Sequence, residues 1–373
     1  MPQLEERAFW VSWSQIPGIG AVSLKRLQQH FGHLSVAWNA DALALSAISG
    51  FGVQTIETVL MERARRDPAQ CLEQHLEANP DFWTPFDRDY PRLLLEIPDP
   101  PPLLYYRGVV VREENQGVIP TVAMVGTRDP SDYGKRWTRR ISIALAQRGF
   151  TIVSGMAEGI DTEAHSGCLE VGGRTLAVLG TGVDVIYPPR NQRLYEQILG
   201  QGLVLSEYPA GTPPERGHFP RRNRVIAALS RAVIVLEAPS KSGALITAHL
   251  ANDYNRDVYV LPGSLDNPRS QGCLGLLSRG AQVILGEGYL LEQLGSMPQL
   301  DPDPTPTVIT ATLIPDLEPE LQQVLTAIAP ESTLFDQIVQ QTSLPTSVVS
   351  SALVQLELLG LIIPLPGMAY QRS

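Results

Sequence analysis

The chain has 373 residues, of which 43% are hydrophobic, and its formal net charge is −10. This length predicts two or three domains with sizeable cores. No apolar run is long enough to cross a membrane, and the charged first residues, MPQLEERAFW, lack a signal-peptide pattern. The three cysteines form no disulfide framework and no CxxC pair, which excludes a disulfide-stapled secreted domain and predicts a cytoplasmic protein without membrane insertion.

The net charge is distributed unevenly along the chain. Residues 120–290 carry 18 basic and 15 acidic side chains, whereas residues 1–119 and 301–373 have net charges of −5 and −7. A nucleic-acid-binding surface depends on local charge more than on total charge, so only the middle of this acidic chain predicts such a surface.

Two glycine turns interrupt helical patterns in the predicted N-terminal domain, residues 1–70. They are Ile16–Gly20 and Ile48–Gly52, and each is flanked by helical patterns, which resembles a tandem helix-hairpin-helix, or SAM-like, domain. Such hairpins can present backbone N–H groups to a phosphodiester, but the flanking charge is modest, with Lys25 and Arg26 after the first turn. A compact module that packs on the next domain explains the pattern equally well.

Residues 71–297 alternate strand and helix patterns. Helical patterns lie at 135–148, 159–171 and 244–254, between apolar runs that mostly lack in/out alternation. Strands buried on both faces have this property, so the pattern predicts an α/β domain with a mostly parallel, doubly wound sheet. The predicted strands are 121–127, 150–155, 175–181, 203–208, 232–238, 257–263 and 281–286.

The segment His218–Arg231, HFPRRNRVIAALSR, carries the strongest local signal. It contains four arginines and no carboxylate, and Phe219 lies beside them. A guanidinium group matches phosphate oxygens and a phenyl ring can stack on a base, which indicates a phosphate-bearing ligand. The alternative is the first turn of a helix whose arginines pair with carboxylates distant in sequence.

Other basic side chains follow the predicted strands. In a parallel sheet the loops after the strands share one edge, where glycine lets the backbone approach a ligand. Together with Phe219, the charges predict one cationic groove suited to an extended single strand with free bases. No GxGxxG opens the first βα unit and no GxxxxGK[ST] occurs, so dinucleotide and P-loop sites lose support. The basic residues are Arg128, Arg190, Arg216, Arg221, Arg222, Arg224 and Lys241.

The C-terminal part reads as a linker followed by a small domain. Residues 298–317 are proline-rich, and residues 318–373 contain helical patterns at 318–329, 334–341 and 346–359 before a β-ribbon pattern, which predicts a winged-helix-like domain. The helix in the recognition position, TSVVSSALVQLELLG, has no basic residue and one glutamate. It could not compensate phosphate charge, so packing or protein contact is favoured there over DNA binding.

No constellation predicts catalysis or a metal site. Asp161 and His165 could share a helix face as acid–base partners, but structural hydrogen bonds explain them better. Glu207 and Glu237 are adequately explained by hydrogen bonds that hold neighbouring loops. Since HExxH, GxSxG and a Cys/His quartet are absent, we assign no catalytic residue, cofactor or metal.

Five motifs occur in order along residues 126–248: GTRDPSDYG (Gly126–Gly134), SGMAEGIDTEAH (Ser154–His165), LGTGVDVIYP with Asn191, FPRRNRVIAALS (Phe219–Ser230) and SGALITA (Ser242–Ala248). Together they resemble the DNA-processing protein A family (DprA/Smf). The segment Tyr90–Gly108 is similar to the family's lead-in to its core, whereas Leu274, where the family usually has a polar Asn, puts a ligand contact there in doubt.

The resemblance implies a helical N-terminal domain, an extended Rossmann-like core and a winged-helix-like C-terminal domain. It implies a protein without enzymatic activity that protects incoming single-stranded DNA, dimerises through its core and loads the RecA recombinase during natural transformation and homologous recombination. By motif, the strand would contact Arg128, Phe219, Asn223 and Arg224, with phosphate contacts from Arg216, Lys241 and Arg190, in a groove shaped by Gly126, Ser154, Gly155, Ser242 and Gly243.

Two other hypotheses stay open. A nucleotide-processing enzyme, such as a phosphoribohydrolase, could use a related core, although the chain has PSKSGALIT where such enzymes have a PGGxGT-type turn. A sensor of free nucleotide could use the same pocket, with the C-terminal domain transmitting the signal.

Overall fold

The computed structural model describes residues 2–295, 319–328, 333–342, 344–358, 361–365 and 369–372. The chain divides into two compact units, Met1–Asp303 and Pro304–Ser373, each with its own hydrophobic core. Every helix in the described ranges is too short or too polar to span a bilayer. The predicted linker, 298–317, lies outside the described residues, and the predicted domain boundary near residue 70 stays a prediction.

The N-terminal helices surround a core rich in tryptophan. Trp10 and Trp13 are buried, and the Trp13 indole donates to the Leu34 carbonyl at 3.1 Å. The two predicted hairpins use glycine in the left-handed region, with φ of 83° at Gly18 and 91° at Gly50. The helices are α1 (Pro2–Ser14), α2 (Ala21–Phe31), α3 (Leu34–Asn39), α4 (Ala42–Ser46), α5 (Val53–Ala64) and α6 (Pro68–Ala78).

A nine-stranded sheet, counted over the described residues, forms the centre of the first unit. Its strands are β1 (Phe82–Trp83), β2 (Leu104–Gly108), β3 (Thr121–Val125), β4 (Thr151–Ser154), β5 (Thr175–Leu179), β6 (Leu203–Ser206), β7 (Ala232–Val235), β8 (Asp257–Val260) and β9 (Gln282–Val283). The order is β1-β2-β6-β5-β4-β3-β7-β8-β9. Strands β3 to β9 pair in parallel, while β1 and β2 are antiparallel to their neighbours. The prediction of a mostly parallel α/β sheet is confirmed.

Helices cover both faces of this sheet. They are α7 (Arg92–Leu95), α8 (Arg112–Asn115), α9 (Asp132–Gln147), α10 (Ile160–Glu170), α11 (Gln192–Gln201), α12 (His218–Ala228), α13 (Gly243–Asp253), α14 (Gln271–Leu277) and α15 (Glu287–Gly295). Helices α9, α10 and α15 pack with Met124 and Ile234, whereas α12 and α13 pack with Val125 and Val235. Since neighbouring strand residues point to opposite faces, both kinds of position are apolar, which explains the missing alternation.

The strand order reverses between β3 and β7. The chain moves outward from β3 through β4, β5 and β6 and then returns to β7 on the other side of β3. In doubly wound sheets, ligands bind beyond the carboxyl ends of the strands at such a reversal. The topology therefore places the turns that follow β3 and β7 side by side.

The helical module packs on the α/β core. The basic side chains beside its first hairpin donate hydrogen bonds to backbone carbonyls of the protein itself. Its apolar core is continuous with side chains of β5, β6 and α11. Lys25 Nζ donates to the Ile97 carbonyl at 2.6 Å, and Arg26 Nη1 donates to the Ser49 carbonyl at 2.8 Å. These contacts favour a packing role for the module over phosphodiester binding.

The second unit has the predicted winged-helix arrangement. Leu321, Ile338 and Leu353 belong to its core. Its elements are α16 (Pro319–Ala327), β10 (Thr333–Leu334), α17 (Phe335–Thr342), α18 (Thr346–Leu358), β11 (Ile362–Leu365) and β12 (Ala369–Arg372). The strands form an antiparallel sheet in the order β10-β12-β11, so three helices are followed by a β-ribbon wing.

Candidate functional site

A cleft of about 610 Å³ opens at the carboxyl ends of β3 and β7, where the strand order reverses. Its walls are the loop after β3, the beginning of α12 and the beginning of α13. The structure thus brings together predicted residues that are distant in sequence. Those that line the cleft are Gly126, Arg128, Arg216, Phe219, Arg222, Asn223, Lys241, Ser242 and Gly243.

Arg128 is exposed in the loop after β3, beside the aromatic ring of α12. Its Cζ lies 5.7 Å from the centroid of the Phe219 ring. Gly126 allows the loop to pack this closely, because a Cβ there would lie 2.5 Å from Ile160 Cγ1 and 2.8 Å from the Glu237 carbonyl oxygen. The arrangement puts a cation for phosphate next to a ring that can stack on a base.

Arg222 is a buried cation in the floor of the cleft. It is 5% exposed, and its Nη1 donates to the carbonyls of Gly155 (at 2.7 Å) and Val178. Burial lowers the pKa of Arg222 to about 10, against the opposing effect of the Asp161 carboxylate. The side chain therefore stays protonated at neutral pH and adds positive charge to the cleft.

A smaller cavity of about 200 Å³ adjoins the cleft and shares Arg128, Phe219 and Arg222 with it. Gly155, a predicted groove residue, also lines this cavity, and Tyr187 adds a second ring. The ring centroids of Tyr187 and Phe219 are 5.5 Å apart, with an interplanar angle of 40°. Two rings beside two guanidinium groups match an unstacked base and its phosphate.

The beginning of α13 forms the opposite wall. Ser242 Oγ accepts from the backbone N–H of Ala244 at 3.3 Å, which caps the helix, and Lys241 is exposed just before it. Asn223 Nδ2 donates to the Gly243 carbonyl at 3.3 Å and so links α12 to this turn. The positive end of the helix and Lys241 both favour an anion here.

Several predicted cations carry uncompensated charge. Within the residues that the structure describes, Arg128, Arg216, Arg221 and Lys241 are exposed and make no ion pair with a carboxylate. Three of them line the cleft, and Arg221 lies outside its lining. The cleft is therefore a cationic surface within an acidic protein.

Arg224 belongs to the same arginine cluster but is held by carboxylates distant in sequence. Its Nε lies 3.1 Å from Asp99 Oδ2, and its Nη2 donates to Glu207 Oε1. It lines neither cavity. This is the alternative interpretation of the cluster, a salt-bridged helix start, and it holds for one arginine of the group. The predicted contact between Arg224 and a DNA strand stays a prediction that its geometry does not support.

Three further sequence-derived positions also lie outside the cleft. Arg190 Nε pairs with Glu158 Oε1 at 2.9 Å, although 71% of the Arg190 side chain is exposed. Ser154 Oγ donates to the Met124 carbonyl at 2.6 Å inside the sheet. Leu274, where the family usually has Asn, lines neither cavity.

The acid–base candidates serve the fold. His165 is fully buried, its Nδ1 forms a hydrogen bond with Thr175 Oγ1 at 2.7 Å, and burial lowers the pKa of His165 to about 3. Asp161 Oδ2 accepts from the backbone N–H groups of Gly155 (3.2 Å) and Ala157 (3.3 Å), and burial raises its pKa. The imidazole cannot reach a ligand in the cleft, and the carboxylate holds the turn after β4.

Tyr187 is a residue of this region that has no counterpart among the predicted site residues. Tyr187 was not predicted, although an aromatic residue in the loop after a predicted strand was a usable signal. Glu237 was interpreted as a carboxylate that holds neighbouring loops, and the structure shows which loop it holds: its side chain accepts from Ser131 in the Arg128 loop.

Comparison with known families agrees with the motif resemblance. The sequence profile of the family described as DNA recombination-mediator protein A matches residues 81–295, which is more than half of the chain. A second profile, described as the DprA winged helix domain, matches residues 309–368.

Individual relatives match over most of the chain. Protein Smf of Synechocystis sp. is 54% identical over 98% of this chain and 99% of its own length. The X-ray structure of DNA processing protein A from Streptococcus pneumoniae is 34% identical with a TM-score of 0.66, over 78% of this chain and 97% of that one. The Helicobacter pylori structure, described for its single-stranded DNA binding mode, is 35% identical with a TM-score of 0.51, over 55% of this chain and 92% of its own.

Proposed function

Because this chain belongs to the DNA recombination-mediator protein A family, we propose that its cleft binds single-stranded DNA and that the protein delivers the strand to a recombinase. The observation that carries the proposal is the meeting of uncompensated cations with the Phe219 ring at one edge of the sheet. The cations attract a phosphate backbone of any sequence, and the ring stacks on bases that a duplex would hide. The related Helicobacter pylori protein is described as binding single-stranded DNA.

The proposed role is that implied by the family. The protein would act in the cytoplasm as a homodimer formed through its core, protect incoming single strands and load RecA during natural transformation and homologous recombination. It would do so without catalysis or a cofactor. Support for the absence of catalysis comes from His165, which is sealed inside the fold, and from Asp161, whose Oδ2 is engaged by backbone N–H groups.

Binding is tested by fluorescence anisotropy with labelled oligo-dT, a duplex of the same length and mononucleotide competitors across a salt series. Three exposed cations without a carboxylate partner among the described residues line the cleft: Arg128, Arg216 and Lys241. Neutralising three phosphates gives a slope of log K against log salt of about −2, at roughly 0.7 per phosphate. Tight, salt-independent binding of mononucleotides in preference to oligo-dT would favour a nucleotide sensor instead.

Function is tested by the rate at which RecA assembles on a strand already coated with single-strand-binding protein, followed through ATP hydrolysis by RecA. The unaltered protein should shorten the lag, and a variant that has lost binding in the cleft should not. Steady release of base from nucleoside monophosphates by the pure protein would instead identify a nucleotide-processing enzyme.

A further inference from the structure

We propose that Glu237 is a positioning residue for DNA binding: its buried carboxylate holds the loop that carries Arg128 without itself touching the strand. The inference rests on the proposed function of the cleft. Glu237 lies just after β7, is 1% exposed and stands outside the linings of both cavities. Its side chain therefore does not contact a strand in either cavity, and its hydrogen bonds are made to the neighbouring loops.

Glu237 holds the Arg128 loop on both sides of the arginine. Before it, the backbone N–H of Thr127 donates to the Glu237 carbonyl oxygen at 2.7 Å. After it, the backbone N–H of Ser131 donates to Oε2 at 2.8 Å, and the Ser131 hydroxyl donates to Oε1 at 2.6 Å. Only three residues lie between these two attachments, so the position of Arg128 is closely tied to that of Glu237.

The glycines of the GTRDPSDYG motif make room for the same residue. A Cβ at Gly134 would lie 2.3 Å from Glu237 Oε2, and a Cβ at Gly126 would lie 2.8 Å from the Glu237 carbonyl oxygen. The serine of the motif is the donor already described. Three positions of the motif therefore meet one residue outside it: Ser131 and Gly134 face the Glu237 carboxylate, and Gly126 faces its backbone carbonyl. This gives the motif a physical purpose, which is to position the Arg128 loop.

A second loop, which carries Asn267 and Arg269, also contacts Glu237 and the Arg128 loop. Asn267 Nδ2 lies 3.4 Å from Glu237 Oε1, and Arg269 Nε donates to the Asp129 carbonyl at 2.6 Å. The Arg269 Nη2–Asp129 Oδ2 pair at 2.5 Å is largely exposed and contributes little. The buried carboxylate is the acceptor that Ser131 and Asn267 share. Removing its charge leaves buried donors imperfectly paired, and the loop must move to satisfy them.

The inference is tested by a double-mutant cycle between Glu237→Gln and Arg128→Ala, with oligo-dT affinity and its salt slope as readouts. Arg128→Ala should weaken binding roughly tenfold and make the slope shallower by about 0.7, the loss of one phosphate contact. Glu237→Gln should weaken oligo-dT binding about fivefold and make the salt slope shallower by about the same amount as Arg128→Ala does. If it acts through Arg128, the double variant should bind no more weakly than Arg128→Ala alone.

Glu114→Gln is the matched control, since Glu114 is also buried and accepts from Thr151 Oγ1 (2.6 Å) and Arg174 Nε (2.9 Å) at the amino end of the sheet. It should lower the unfolding temperature but leave the affinity and slope unchanged. If Glu237→Gln does not fold, Ser131→Ala replaces it. Because Ser131 is also the N-cap of α9, Asp67→Ala, which removes the N-cap of α6, serves as the control for the loss of a helix cap.

The possible failures are distinguishable. No binding by the unaltered protein overturns the proposed function, and this inference with it. Normal binding by the folded Glu237→Gln variant, or a loss that adds fully to that of Arg128→Ala with no change in slope, overturns only the inference.

Discussion

The cleft of the first unit and helix α18 of the second unit contradict what their folds alone would suggest. A helix-turn-helix element suggests a DNA-binding surface, whereas a Rossmann-like sheet more often suggests a nucleotide site. Yet α18 has no basic residue, while the cleft gathers Arg128, Arg216, Arg222 and Lys241. Phosphate binding depends on uncompensated cations, so the placement of charge says more about DNA than the type of fold.

A second contrast lies within α12 itself. Arg221 is exposed, Arg222 is buried in the floor of the cleft, and Arg224 pairs with Asp99 and Glu207. Arginines within four positions of one helix thus serve in three different environments. Because successive helix residues are rotated relative to one another, a cluster in sequence is not a cluster in space.

The contrast between cleft and remaining surface is tested most strongly by removing two cleft cations. Arg128→Ala with Arg216→Ala should weaken oligo-dT binding about a hundredfold, at about 1.5 kcal/mol for each charged contact, and make the salt slope shallower by about 1.4. Anisotropy titrations across salt measure both. The control is Arg139→Ala with Arg140→Ala, whose exposed side chains pair with Glu170 and Glu287. Equal losses in both variants would mean that overall charge, and not the cleft, governs binding.

The aromatic part of the cleft is tested separately from its charge. Phe219→Ala should weaken oligo-dT binding about tenfold, because stacking contributes about 1–3 kcal/mol per base, and the salt slope should not change. Phe219→Tyr keeps a ring and should bind like the unaltered protein in the same titrations. A shallower slope in Phe219→Ala would show that the substitution disturbs Arg128 and not only stacking.

Arg224→Met should affect stability far more than DNA binding. It breaks a largely buried ion pair, which costs about 3 kcal/mol in unfolding free energy, while the affinity of the folded protein changes less than about threefold. Burial raises the pKa of Glu207, and Arg224 opposes that rise. Without Arg224, the pKa of Glu207 rises further, and the folded protein is stabilised when this carboxyl group takes up a proton as the pH falls. The loss of unfolding free energy should therefore be smaller at pH 5 than at pH 8 in urea titrations. A large loss of affinity at unchanged stability would make Arg224 a DNA contact.

The smallest effect is expected at the second unit. A protein that ends at residue 303 should bind oligo-dT within about twofold of the full chain and with the same salt slope, because α18 offers no cation to phosphate. Anisotropy on the two proteins measures this. A tenfold weaker binding by the shorter protein would assign the winged-helix unit a part in DNA binding and remove the contrast with the cleft.

Much of the fold could be predicted from sequence, and the errors have physical causes. Strands β3 to β8 were recognised because burial on both faces demands continuous apolar runs, and the half-buried β9 was recognised because it lies in a short apolar run. Strands β1 and β2 were not predicted: β1 has two residues, and β2 is exposed at its end, so neither has the pattern of a buried strand. The pairing of β1 with β2 and of β2 with β6 depends on contacts distant in sequence.

The sequence by itself determined the class of the sheet, the edge that carries the charges and the absence of cations from α18, because these depend on residue order and on the direction of parallel strands. Only the tertiary structure decided which charges are free. An ion pair or a hydrogen bond is made between residues that chain folding brings together: Arg224 meets Asp99 and Glu207, while Glu237 meets the loop of Arg128. Pairing is a property of distance in space, which residue order does not specify.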